Sequence, residues 1–260
     1  MSQEQAQLSG PDLTGGIART EISNGKLLGH VRDQAVLLVQ SGDELFAIDA
    51  HCTHYSGPLA DGLVTEDSIR CPWHHACFSL RTGEALHAPA IGPLSTWQVE
   101  EKDGRIFVRE KRPTPKPVAK SQPGDPQNVV IVGGGAAGFA AAEMLRREGF
   151  AGGIVMLSND PDAPVDRPNL SKDYLAGSAP EDWMPLRENS FYAENNIDLR
   201  LNTDVASIDT GSHHVVTADG AKVPYDRLLL ATGAEPVRLN IPGAQQPNVH
   251  TLRSFADCRA

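Results

Sequence analysis

The sequence predicts a multidomain chain, a small all-β domain followed by an α/β domain, and three observations carry that prediction. Short apolar runs of strand length, separated by Gly and Asp turns, occupy residues 25–110. A polar, proline-rich stretch then interrupts them. After it, an apolar run passes through a glycine turn into an Ala-rich segment of helical length. At 260 residues the chain has room for two separate cores.

In the first domain, placed at residues 12–110, Ala35-Val36-Leu37-Leu38-Val39 and Glu44-Leu45-Phe46-Ala47-Ile48 read as strands bounded by turn residues. Trp97-Gln98-Val99-Glu100, Lys102-Asp103-Gly104-Arg105 and Ile106-Phe107-Val108 spell a closing hairpin, since Asp-Gly accepts the left-handed backbone of a two-residue turn. Residues 111–127 begin Lys111-Arg112-Pro113-Thr114-Pro115-Lys116-Pro117 and are too poor in apolar side chains to make a core, so they read as a linker. The second domain, 128–260, opens on Val129-Val130-Ile131-Val132. It continues through a helix at 136–148 and returns to a strand at Ile154-Val155-Met156-Leu157, a β-α-β unit.

With 33 acidic and 23 basic residues, the formal charge of -10 argues against a nucleic-acid or anionic-membrane partner. Cys77 and Cys258 have no companion spacing, so no disulfide framework is expected and a reducing, cytoplasmic setting fits. Met1-Ser2-Gln3-Glu4-Gln5 has neither the basic start nor the apolar run of an export signal, and the apolar stretch 129–145 is broken by glycines. No membrane span is expected.

The other two cysteines belong to a ligand set in two halves, Cys52-Thr53-His54 and Cys71-Pro72-Trp73-His74, with sixteen residues between His54 and Cys71. The pattern C-x-H…C-x-x-H suits a 2Fe-2S centre in which two thiolates hold one iron and two imidazoles the other. A four-ligand zinc site is the alternative, but zinc fingers group their ligands as a Cys pair and a His pair rather than one of each per loop. The metal ligands are therefore assigned as Cys52, His54, Cys71 and His74. His51 and His75 adjoin them but fall outside the spacing and are read as loop residues, while His30, His87, His213, His214 and His250 show no partner pattern.

His51-Cys52-Thr53-His54-Tyr55-Ser56-Gly57-Pro58-Leu59 and Cys71-Pro72-Trp73-His74-His75-Ala76-Cys77-Phe78 closely resemble the cluster loops of Rieske ferredoxins, over about residues 12–110. In that family, high-potential members join the loops by a disulfide at the positions of Gly57 and Trp73, which rules that bridge out here. They also place Ser and Tyr hydroxyls near the cluster where this chain has Ala76 and Phe78. The resemblance therefore implies a low-potential cluster, nearer about -150 mV than about +300 mV.

Gly133-Gly134-Gly135-Ala136-Ala137-Gly138 matches G-x-G-x-x-G directly after a strand and opening a helix, the setting in which this motif binds a dinucleotide. The first glycine permits the turn, the second lets backbone amides approach a pyrophosphate, and the third lets helix pack on strand. These glycines alone do not separate FAD from NAD.

Asp166-Arg167-Pro168-Asn169-Leu170-Ser171-Lys172, Tyr225-Asp226-Arg227-Leu228-Leu229-Leu230-Ala231-Thr232-Gly233-Ala234-Glu235-Pro236 and Ile241-Pro242-Gly243 resemble the FAD domain of flavin-dependent ferredoxin reductases and apoptosis-inducing factors, over about residues 127–255. The resemblance implies that Arg167 and Lys172 contact FAD, Lys172 close to the flavin ring. It also implies that the backbone of Val205 meets adenine and that Thr232 and Gly233 lie against the cofactor. Where the family commonly has an acid for the adenosine ribose, this chain has Asn159-Asp160. Asn159 can accept from a hydroxyl without charge assistance, and Asp160 can either take that role or start a turn before Pro161. The redox-active Cys pair of related disulfide reductases is absent, since no Cys lies between Cys77 and Cys258.

A Rieske domain ahead of an FAD domain resembles the Rieske-containing branch of apoptosis-inducing-factor-like oxidoreductases. That resemblance implies electrons passing from NAD(P)H through FAD to the 2Fe-2S cluster and on to a redox protein or small-molecule acceptor. Family members continue into an NAD(P)H-binding domain with its own glycine loop, and no second loop follows within the 260 residues. The FAD domain is therefore expected to be partial and the chain a truncated product or fragment. The alternative is a non-catalytic Rieske carrier fused to a degenerate nucleotide fold that serves for docking. A signalling role, which the resemblance to apoptosis-inducing factors allows, has no death-related motif behind it.

Overall fold

A computed structural model of the chain describes residues 9–113 and 124–259. Contacts divide the chain into two units, residues 1–115 and 116–260. Of the linker expected at 111–127, residues 114–123 lie outside the described residues.

The first unit is built from β1 (Ile17–Ala18), β2 (Lys26–Val31), β3 (Gln34–Ser41), β4 (Glu44–Asp49), β5 (Leu63–Thr65) and β6 (Ser68–Arg70). β7 (Cys77–Ser79), β8 (Ala85–His87), β9 (Thr96–Lys102) and β10 (Arg105–Lys111) follow. They make a six-stranded sheet in the order β1-β10-β9-β4-β3-β2 and a four-stranded sheet β5-β6-β7-β8. All the pairings are antiparallel. β3 explains its own unbroken apolar run, because it is covered on both faces. Leu37 and Val39 enter a core with Ile48, Leu59, Ile69 and Phe78 that also takes in Cys52 and Cys71. Val36 and Leu38 enter a second core with Trp97, Ile106 and Val108. The β9–β10 hairpin turns through Asp103 and Gly104, both with positive φ, as an Asp-Gly turn should.

The second unit runs β11 (Asn128–Val132), α1 (Ala136–Arg147), β12 (Gly153–Leu157), α2 (Arg167–Leu170), α3 (Asn189–Glu194) and β13 (Ile197–Arg200). It continues with β14 (Val205–Asp209), β15 (His214–Thr217), β16 (Lys222–Pro224), β17 (Arg227–Leu230) and α4 (Phe255–Arg259). β13-β12-β11-β17 is a parallel sheet, and β14-β15-β16 a separate antiparallel one. The side chains of β11 alternate. Val130 and Val132 pack with Val215 and Val223 of the antiparallel sheet, while Ile131 meets the first turn of α1. The chain leaves β11 toward β12 and β13 and returns on the opposite side as β17. The carboxyl ends of these strands therefore flank a topological switch point, where doubly wound sheets hold their ligands. No helix among the described residues is long and apolar enough to cross a membrane.

Candidate cofactor sites

The two ligand loops of the first unit share one backbone frame. The Cys52 N–H donates to the Gly57 carbonyl at 2.9 Å, and the Ser56 N–H to the Cys52 carbonyl at 2.9 Å. In the second loop the Cys71 N–H donates to the Ala76 carbonyl at 2.8 Å, and the His75 N–H to the Cys71 carbonyl at 3.1 Å. Each loop closes on a non-glycine residue in the left-handed region, Ser56 at φ 55° and His75 at φ 61°. The short loop thus bends back within six residues and turns its middle side chains outward. β4 leads into the first loop, and β6 and β7 flank the second.

Within this frame both cysteines are buried and both histidines reach toward solvent, His74 more than His54. The imidazoles meet edge to face at 5.1 Å between centroids, and Tyr55 stacks on His54 at 4.0 Å. Burial is the main force raising the Cys52 thiol, to about 11, with Cys71 alongside adding to it and the His54 backbone N–H, 3.5 Å from Cys52 Sγ, opposing it. A thiol held this high stays protonated unless a metal takes the proton's place. Burial, and then the neighbouring His74, push His54 below the ordinary 6.5, toward the neutral form that can ligate.

The buried Nδ1 of His54 has no hydrogen-bond partner. An orphaned buried nitrogen carries a desolvation penalty of about 1–3 kcal/mol, which an iron ligand bond would remove. The donor set therefore fits a 2Fe-2S cluster. Among the described residues no three His, Cys, Asp or Glu side chains gather as for a single metal ion. A dinuclear cluster needs two ligands on each iron. The loops are in contact at Gly57, where an added Cβ would stand 2.7 Å from Cys71 Sγ and 3.3 Å from the Trp73 ring. The second loop leads into buried Ala76 and Phe78, which bring no hydroxyl.

In the second unit, a cleft of about 900 Å³ opens at the carboxyl ends of β11, β12 and β17. Its floor is the glycine loop. Gly133 has φ 122°, and a Cβ there would collide with the Ala231 carbonyl oxygen at 2.2 Å, so only glycine permits this close approach. A Cβ on Gly138 would stand 2.1 Å from the Gly133 carbonyl oxygen, which makes Gly138 the close-packing glycine between helix and strand rather than part of the cleft wall. Gly135 caps α1 and faces open space apart from the Arg167 guanidinium, whose carbon lies 4.0 Å from a built Cβ. That open cradle at a helix amino end, under a cation, fits a pyrophosphate.

Gly133, Gly134, Gly135, Ala136, Ala137, Asn159, Asp160, Arg167, Val205, Thr232 and Gly233 all line this cleft. Lys172 does not line it. Lys172 is exposed two residues beyond α2, where its charge offsets part of the burial that raises the Asp166 carboxyl. The sequence reading also missed Thr203, Asp204 and Arg253 in the wall. Arg253 crowds Gly233, with Nη2 2.8 Å from a built Cβ, and its Nε donates to the Ala234 carbonyl at 2.6 Å. Arg253 lies twenty positions after Gly233 in sequence, and no local pattern announces that pairing.

The family model described as pyridine nucleotide-disulphide oxidoreductase matches residues 127–260, and the model described as Rieske [2Fe-2S] domain matches residues 17–98. The chain is 36% identical over 233 residues to human apoptosis-inducing factor 3, covering 85% of this chain and 38% of that protein. It is 44% identical over 131 residues to rubredoxin-NAD(+) reductase of Pseudomonas putida, covering 50% of this chain and 34% of the reductase. Among solved structures, the covalent putidaredoxin reductase–putidaredoxin complex matches with 38% identity and a TM-score of 0.49, covering 51% of this chain and 33% of that one. The chain thus spans little more than a third of the length of these relatives.

Proposed function

The chain belongs to the pyridine nucleotide-disulphide oxidoreductase family and carries a Rieske [2Fe-2S] domain ahead of that module, and from this premise we propose that it is the cofactor-holding part of an oxidoreductase that takes electrons from NAD(P)H and hands them to a redox partner. FAD, when bound, would supply the change from two-electron hydride chemistry to single electrons, which a 2Fe-2S cluster would accept one at a time. Cys52 and Cys71 hold one iron as thiolates, and His54 and His74 the other as neutral imidazoles. His54 Nδ1, buried and unpartnered, is the observation that carries this assignment.

In the second unit, the amides of residues 133–137 and the Arg167 guanidinium hold the pyrophosphate, and Val205, Thr232 and Gly233 form walls around the rest of the nucleotide. Lys172 lies outside the cleft wall, so a contact with the flavin rests on the family resemblance alone. The glycine cradle is open where a pyrophosphate needs room and closed where helix must touch strand. That favours a working dinucleotide site over a degenerate docking fold. No side chain here is required as nucleophile or general base, because the cofactors carry the bond chemistry.

The test is pulse reduction of the flavin in protein reconstituted with iron, sulfide and FAD, followed at the cluster's visible absorption. Cluster bleaching at a rate independent of protein concentration is the expected result. Bleaching that scales with protein concentration, or none at all, contradicts passage of electrons within the chain.

A further inference from the structure

Asp160 and Arg167 meet inside the cleft of the second unit. Arg167 Nη2 donates to Asp160 Oδ2 at 2.9 Å, and both side chains are less than a third exposed. The guanidinium stands over Gly135, the cap of α1, where free helix N–H groups attract an anion. Asp160 is itself held from two directions: its N–H donates to Ser158 Oγ at 3.2 Å and its carbonyl accepts from the Asn202 N–H at 3.1 Å. Asn159, next to it, lines the same cleft and is exposed. A carboxylate this close to a phosphate site would by itself oppose an anionic ligand, so its presence calls for a compensating role.

We propose that Asp160 is a positioning residue that fixes Arg167 over the glycine loop, and that the adenosine ribose hydroxyl falls to Asn159. Arg167 has several rotatable bonds, and without a partner its guanidinium would leave the loop for solvent at a cost in affinity for the pyrophosphate. The charge of Asp160 is spent on Arg167, which leaves the uncharged Asn159 amide as the ribose acceptor where relatives use an acid. This inference rests on the reading of the cleft as an FAD site.

The experiment is calorimetric titration of the 260-residue protein with ADP and with 2′-deoxy-ADP, which share the pyrophosphate and differ only at the ribose. Asp160→Asn is expected to weaken both nucleotides equally, by about fivefold, while Asp160→Glu recovers part of the loss. Asn159→Ala is expected to narrow the preference for ADP over 2′-deoxy-ADP. In an Arg167→Ala background, Asp160→Asn is expected to tighten binding, because only the repulsion is then removed. The proposal is overturned if Asp160→Asn narrows the ribose preference, which would make Asp160 the ribose ligand, or tightens binding while Arg167 is present, which would make it a bare opposing charge. If the unaltered protein binds neither nucleotide, the FAD reading itself fails and takes this inference with it. If it binds ADP but the variants depart from the expected pattern, the positioning role alone falls.

Discussion

The cluster site is local and anchored on two buried cysteines, whereas the dinucleotide cleft is dispersed and open on one side. All four proposed cluster ligands lie within 23 residues, on two loops that repeat one hydrogen-bonded frame, and both cysteines sit in the core that stabilises the unit. The cleft gathers residues from six stretches between Val132 and Asp257. One of its walls, residues 231–254, has no helix or strand. That wall leaves Val237 at 87% and Leu239 at 63% exposure. Burial and backbone hydrogen bonds hold the frame of the first site, while part of the second rests on a wall without helix or strand, the kind of segment that opens most readily. The cluster should therefore survive changes that empty the cleft.

The largest effects expected are all-or-none. Replacing His54 or His74 with Ala should abolish the Rieske electron paramagnetic resonance signal, while His75→Ala, which alters a loop-closing residue outside the ligand set, should retain it. If His75→Ala loses the cluster and His74→Ala keeps it, the ligand assignment is wrong. Next comes Gly138→Val, which drives a side chain into the Gly133 carbonyl. It should destabilise the second unit by about 3 kcal/mol and eliminate flavin retention without changing the cluster signal. Loss of both signals together would break the contrast between the units.

Smaller effects sharpen the account of the cluster site. In iron-free protein the raised Cys52 thiol favours the folded state below the ordinary 9.0, and that contribution is lost as pH rises through about 11. The linkage is worth at most about 3 kcal/mol. Denaturant unfolding of the iron-free protein at the two ends of this window should show the loss, and Cys52→Ser should remove it. For His54 the sign is reversed: its depressed folded value favours folding above 6.5 and is lost as pH falls, so His54→Gln should flatten the acid limb of the same profile. Last, Ala76→Ser should raise the midpoint potential, because a hydroxyl hydrogen bond to cluster sulfur favours the more negative reduced state. About 1 kcal/mol corresponds to roughly 40 mV for one electron. Direct electrochemistry should place the unaltered protein below 0 mV, and a value near about +300 mV would overturn the low-potential reading.

The same contrast governs how much could be read from sequence. The proposed cluster ligands could be named from sequence because the chemistry fixes residue type and spacing over a few positions. The apolar run of β3 and the Asp103-Gly104 turn were legible for the same local reason. The shared loop frame was not, since the left-handed backbone of Ser56 and His75 is imposed by closure of each loop and neither residue type signals it. In the second unit the glycine loop declared itself, but Thr203, Asp204 and Arg253 reach the cleft only through the sheet order, which no short pattern encodes. The pairing of Asp160 with Arg167 was hidden likewise, although each residue had been singled out separately. Lys172, carried over from resemblance, lies outside the cleft wall, and so does Gly138, which packs helix against strand instead.

The most direct test of the central claim, that one chain holds a Rieske cluster and FAD together, is an anaerobic dithionite titration of the reconstituted protein after unbound cofactor is removed, with flavin and cluster absorbance followed together. Uptake of about three electrons per chain is predicted, two into the flavin and one into the cluster. Uptake of a single electron with no retained flavin would contradict the dinucleotide half of the account, and uptake of only the flavin's two electrons would contradict the cluster half.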